Sequence, residues 1–202
     1  MSNLIAQTAV IYPHVILGKN VVVEDFCIIG CLPGGSKLGE LTTIIGDNAV
    51  IRSHTVIYAG NRIGDDFQTG NKANIRELNQ IGNHVSIGTL SVIEHHVEIG
   101  DNVRIHSQVF VPEYSILEED CWLGPNVVIT NAKFPKSPDV KKELKGAVIG
   151  NNAKIGANST LLPGVRIGAG SLVGAGSVVT KDVKADSIVV GNPAQFVRKI
   201  DY

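Results

Sequence analysis

Aliphatic residues recur at every sixth position along most of this chain, and that period leaves few folds open. From Ile45 to Ile129 every sixth residue is Ile, Leu or Val, with Thr69 the one exception. The same register runs through Ile11, Leu17, Val23 and Ile29, and again through Ile149, Ile155, Leu161, Ile167, Val173 and Val179. A helix needs apolar residues at three-to-four spacing, so a period of six is not helical. Frequent glycine and β-branched residues argue against helix as well. A short strand with inward residues at positions i−2 and i, followed by a tight corner, satisfies the pattern. Glycine often follows the aliphatic, as at Gly82, Gly88 and Gly100, and is expected to ease that corner. Three such strands close one triangular coil of 18 residues. Stacked coils then bury a continuous aliphatic column, as solenoids do. Aromatics are only 5% of the chain, so that column is built from aliphatics.

The prediction is one all-β domain over residues 1–202, long enough for a sizeable core. Two stretches break the register, about 31–44 and 131–147. Both hold Pro or Gly and read as loops; the second is long and basic, and such an excursion from a regular solenoid points to function or an interface. A short segment, about 191–202, is expected to cap the end of the column. The net charge of −1 carries no electrostatic footprint for nucleic acid or an anionic membrane. No apolar run is long enough for a membrane helix and no basic-plus-apolar leader is seen, so a cytoplasmic location is expected. Cys27, Cys31 and Cys121 lack zinc-type spacing and are expected to be free thiols, with Cys27 and Cys121 in the core.

The recurring unit of an aliphatic, Gly, two variable residues, a small residue and one more resembles that of the hexapeptide-repeat acyltransferases, over nearly the whole chain. The resemblance implies a left-handed parallel β-helix, a homotrimer, and acetyl-CoA as co-substrate along the coils, with no metal required. The segment VIEHHVEIG is similar to the sugar-nucleotide 4-amino acetyltransferases, which carry I-E-H-E here; this maps their histidine base onto His95, with His96 where they have a glutamate. The stretch from Val103 to Lys136 is similar to the UDP-amino-uronate 3-N-acetyltransferases, with Asn131 matching the Asn of their T-N and His106 replacing a Gln. The C-terminal coils look like the family's CoA groove. Gly156, Ala157, Gly174 and Ala175 are expected beside the pantetheine arm, and Lys181 and Arg198 near the CoA phosphates.

Residues 18 apart stack about 4.8 Å apart in adjacent coils, which turns the sequence into a map. One outward row, Val56, Asn74, Val92, Phe110 and Val128, is the most apolar and is assigned to self-association about a threefold axis. The corner after that face stacks Glu77, His95, Glu113 and Asn131; the opposite edge carries His106. In a trimer the two edges meet across subunits, so His95 and His106 are expected to share a cleft. An imidazole serves as general base, and Glu113, Glu77 or Glu94 would orient it. Two flanking carboxylates would also hold His95 protonated.

The expectation is acetyl transfer to an amino group of a nucleotide-linked sugar. Its rivals are O-acetyl transfer, a zinc carbonic anhydrase on the same scaffold, and a non-catalytic assembly subunit. The zinc reading would need the closely spaced H-x4-H pair of the γ-class carbonic anhydrases, which this sequence lacks.

Overall fold

The computed structural model describes residues 2–201 and is a parallel β-helix. Its strands, mostly two residues long, form three sheets. Sheet A holds eleven strands, from Leu4–Ile5 to Gln195–Lys199; sheet B holds nine, from Val10–Ile11 to Val178–Val179; sheet C holds eight, from Val15–Leu17 to Arg166–Ile167. The expected stacking holds: Asn74 pairs with Val56 and Val92 in sheet B, and Arg104 with Ser86 and Trp122 in sheet A.

The core is the predicted column. Val85, Ile87, Val103, Ile105, Val109 and Val111 are all buried, at the i−2 and i positions of successive strands. Each such side chain contributes about 1.5–3 kcal/mol by leaving water. Thr69 keeps the register because its hydroxyl is satisfied: Oγ1 accepts from the Arg52 amide at 2.9 Å and lies 3.2 Å from Thr55 Oγ1. Cys27 and Cys121 are buried, as expected, and burial pushes the Cys121 thiol up to about 12.

The chain does not turn where the glycines suggest. The left-handed backbone lies three residues after each core aliphatic, at His54, Asp66, Lys72, Leu78, His84, Leu90, His96 and Asn102, with φ of 55–62°. Only some of these are the Asn or Asp that tolerate that conformation. The glycine directly after the aliphatic serves a different purpose. A Cβ on Gly82 would sit 2.8 Å from the Asp101 amide nitrogen, and one on Gly156 would sit 2.4 Å from that of Ala175. Glycine there lets one coil's backbone rest on the next.

Both excursions leave the prism at the same edge, between a sheet B strand and a sheet C strand. The first is shorter than expected, because Cys31 and Thr43–Ile45 belong to strands. The second closes at its root through the Lys145 amide donating to the Asn131 carbonyl at 2.9 Å, and holds one short 3₁₀ turn, Val140–Lys142. The C-terminal segment takes the form of a strand, Gln195–Lys199, antiparallel to Ser187–Val190 at the end of sheet A. Ala194 packs on the core, and a cavity of about 440 Å³ remains beside Val179, Val183, Val189 and Phe196.

Candidate active site

The edge between sheets B and C carries the predicted acidic and imidazole column, and the structure resolves who touches whom. Glu113 Oε1 lies 3.6 Å from His95 Nε2, and the other carboxylate oxygen accepts from Asn131 Nδ2 at 2.7 Å. His95, Glu113 and Asn131 therefore stand as one chain of contacts, ending at the root of the long loop. Glu77 does not join it. Its neighbour Arg76 binds it through both oxygens, at 2.9 and 3.1 Å. Burial would push the Glu77 carboxyl up, but Arg76 outweighs it and holds the group below its ordinary range. The expected sandwich of His95 between two carboxylates is thus replaced by a single carboxylate contact. The reason is local: a bidentate guanidinium one residue away outcompetes an imidazole one coil up.

Arg76 organises this corner, and the sequence reading overlooked it. Besides Glu77 it reaches Glu94 at 3.7 Å, and its guanidinium lies 4.8 Å over the Tyr58 ring. Tyr58, Arg76 and Glu94 are 18 apart, so the same stacking arithmetic would have found them. Burial, opposed by Arg76, raises the Glu94 carboxyl above its ordinary range. Beneath the corner lie two fully buried amides. Asn61 and Asn79 both donate to the Arg76 carbonyl, at 2.7 and 2.9 Å.

His95 also contacts its neighbour. The Nδ1 atoms of His95 and His96 are 2.8 Å apart, and the Tyr114 ring packs against both imidazoles, 5.9 and 5.7 Å between centroids. His96 occupies a left-handed corner position, φ 56°, and is exposed, whereas His95 is partly buried. Tyr114 stacks one coil above His96, again a spacing of 18.

The opposite edge, between sheets A and B, carries His106 and the glycine-rich coils together. Arg104 Nε donates to His106 Nε2 at 3.2 Å, and the Trp122 ring packs edge-on at 4.8 Å. Burial, with the Arg104 charge, lowers His106 below the ordinary histidine range, so the ring stands neutral. An Nε2 that accepts from Arg104 leaves the proton on Nδ1. The backbone above His106 passes through Gly124, Gly156 and Gly174 in successive coils, with Ala157 and Ala175 one residue further round. At Gly156 the coil stack itself demands glycine. Gly174 differs, since its Cβ would meet the Val190 side chain at 2.5 Å. Lys181 is exposed and lines the C-terminal cavity; Arg198 is ion-paired with Asp201 at 2.6 Å.

One chain therefore does not bring His95 and His106 together. They sit on opposite edges of sheet B, with the outward row Val92, Phe110 and Val128 between them; Phe110 and Val128 are 36% and 38% exposed. A groove of about 790 Å³ crosses sheet C beside Arg62, Gln80 and Glu98 and is lined by none of the candidate residues. It offers no imidazole. Among the described residues, no three His, Cys, Asp or Glu side chains converge as metal ligands.

Residues 80–113 and 146–181 match the bacterial transferase hexapeptide family (six repeats). The chain is 29% identical over 198 residues to the bifunctional protein GlmU of Listeria welshimeri, covering 98% of this chain and 40% of that protein. It is 45% identical over 82 residues to a galactoside O-acetyltransferase of Lactococcus lactis, 39% of this chain and 40% of that one. The chain thus matches about two fifths of the length of these curated relatives. Among solved structures, a maltose O-acetyltransferase from Clostridium difficile 630 superposes with a TM-score of 0.52 at 27% identity, over 58% of this chain and 67% of that one.

Proposed function

We propose that this chain, which matches the bacterial transferase hexapeptide family over residues 80–113 and 146–181, transfers an acetyl group from acetyl-CoA to the amino group of a nucleotide-linked amino sugar, as a cytoplasmic homotrimer. The observation that carries this reading is the placing of two unlike edges on either side of one apolar sheet face. One edge holds an oriented imidazole, His95 on Glu113 on Asn131. The other holds neutral His106 at the foot of a glycine-rich column. Association through sheet B about a threefold axis would lay one chain's His95 edge against its neighbour's His106 edge and close a cleft between them.

In that cleft the acceptor nitrogen attacks the thioester carbonyl carbon and the C–S bond breaks. The nitrogen's proton passes to the imidazole pair at positions 95 and 96, and from there to the departing thiolate. Backbone amides at the glycine corners would hold the oxyanion. Glu77, Glu94 and Glu113 against the single guanidinium of Arg76 leave this corner acidic, which favours an acceptor that arrives as an ammonium and gives one proton to solvent before the neutral amine attacks. Ala157, Ala175 and Gly174 would line the pantetheine arm, with Lys181 near the CoA phosphates; Arg198, tied to Asp201, is a poorer candidate.

A second reading, O-acetyl transfer to a sugar hydroxyl, is supported by the likeness to the two O-acetyltransferases. The experiment is free-thiol release from acetyl-CoA against a panel of amino- and hydroxy-sugar nucleotides, with wild type and His95→Ala side by side. Turnover restricted to an amino sugar, reduced about a hundredfold or more in the variant, is the expected result. Turnover restricted to hydroxyl acceptors would replace the first reading by the second. Absence of any thiol release with any acceptor would refute both.

A further inference from the structure

We propose that the proton acceptor at the acidic corner is Nε2 of His96, and that His95 is the positioning residue that sets its tautomer. The inference deepens the acyl-transfer reading and rests on it for the role of the proton, but the protonation pattern itself stands on contacts within the chain.

Four side chains set the protonation pattern. Asn131 Nδ2 donates to one oxygen of Glu113 at 2.7 Å, and the other oxygen faces His95 Nε2 at 3.6 Å. The 3.6 Å contact is a charge contact longer than a hydrogen bond, but a carboxylate's negative charge favours an N–H over a lone pair on the nitrogen that faces it: neutral His95 is protonated on Nε2 and presents a lone pair on Nδ1. That lone pair meets His96 Nδ1 at 2.8 Å, a distance at which one of the two nitrogens must donate. His96 Nδ1 is therefore the donor. The lone pair of neutral His96 is left on Nε2, on an exposed ring, while His95 is only partly exposed, with its Nδ1 held by His96 and its Nε2 turned to Glu113. A base needs an open lone pair, and in this column His96 has it.

The remaining charged groups do not disturb the chain. Glu77 and Glu94 are directed to Arg76, and the Tyr114 ring holds both imidazoles by their faces and edges. Protonation at His96 Nε2 makes His96 an imidazolium. Moving the shared Nδ1 hydrogen across the 2.8 Å contact then transfers the positive charge to His95, beside Glu113. The acceptor loses one proton, His96 Nε2 gains it, and the thiolate later takes it back, so the chain ends each turnover as it began. Glu113 thus stabilises a charge picked up one residue away.

The test needs no substrate. In full-length protein labelled with ¹⁵N in the imidazole rings, two-bond ¹H–¹⁵N correlation spectra distinguish the neutral tautomers, with His95→Gln and His96→Gln supplying the assignments. The expected pattern is a protonated Nε2 on His95 and a protonated Nδ1 on His96. Glu113→Gln should reverse both. Asn131 would keep the new amide's oxygen on its side, turning the NH₂ toward His95 Nε2, which must then accept; the hydrogen moves to His95 Nδ1 and, in turn, to His96 Nε2. A protonated Nε2 on neutral His96 in the wild type, or no change in Glu113→Gln, overturns the proposal. Kinetics separate it from the broader reading. With the amino-sugar nucleotide that turns over, His96→Gln should lower kcat at least a hundredfold with KM within about threefold, and more than His95→Gln does. A His96→Gln enzyme at the wild-type rate would overturn the assignment while leaving acyl transfer intact. A wild type that releases no thiol with any acceptor would remove acyl transfer while leaving the tautomers readable.

Discussion

Asn61 and Asn79 form a buried ladder whose energetics can be worked out bond by bond. Both residues are fully buried. Asn61 Oδ1 accepts from the Asn79 amide at 3.0 Å, and Asn79 Oδ1 accepts from the Val97 amide at 2.7 Å. Both side-chain amides donate to the Arg76 carbonyl, at 2.7 and 2.9 Å, and Asn61 also donates to the Tyr58 carbonyl at 2.7 Å. Asn79→Ala leaves the buried Val97 amide without a partner, and Asn61→Ala does the same to the Asn79 amide. An unsatisfied buried group costs about 1–3 kcal/mol, so each single change should destabilise by about 2–3 kcal/mol with its small cavity included. The double change does more than add. In either single variant the Arg76 carbonyl keeps one donor; only in the double variant does it lose both. The double variant should therefore fall about 1–2 kcal/mol below the sum of the singles. Urea denaturation at one fixed protein concentration reads this as a shift in midpoint with unchanged slope. Additivity within about 0.5 kcal/mol would refute the shared-carbonyl account. Because the Arg76 backbone carries the side chain that holds Glu77 and Glu94, the double variant should also lose activity under conditions where it is still folded.

Two further outcomes follow from the corners. Lys72 sits at a left-handed position, φ 59°, with an exposed side chain; Lys72→Asn removes a strain of about 1 kcal/mol without giving up packing, and should raise the urea midpoint. No change or a fall would mean the corner is not strained. For His106, burial and then Arg104 lower the folded-state pKa, so below the ordinary histidine value near 6.5 the unfolded chain binds more protons than the folded one. Its contribution is present above that value and lost as pH falls through the lowered one, so thermal stability should drop across that interval. His106→Gln should flatten the profile there, and an unchanged slope would sink the assignment.

Much of the site was legible because a solenoid converts sequence spacing into contact. Once the 18-residue coil is recognised, Glu113 above His95 and Asn131 above Glu113 are matters of counting, and the structure bears them out. The same count would have found Arg76 beneath Glu94 and Tyr114 above His96. Contacts between chain neighbours were not legible this way. Whether Glu77 would turn to Arg76 or to His95, and whether His96 would meet His95, depends on side-chain direction at a corner.

The sequence by itself determined the β-helix, its register, the aliphatic column and the edge at which each candidate sits. A six-residue period can bury its apolar positions in only that way, and every coil repeats the same test of the pattern. Only the tertiary structure decided where the backbone takes its left-handed turn, that Gly82 and Gly156 serve coil-to-coil approach, and which partner each charged group chose. Those outcomes rest on distances of a few tenths of an ångström between neighbouring coils and on competition among donors for a few carboxylate oxygens, and neither leaves a period in the sequence.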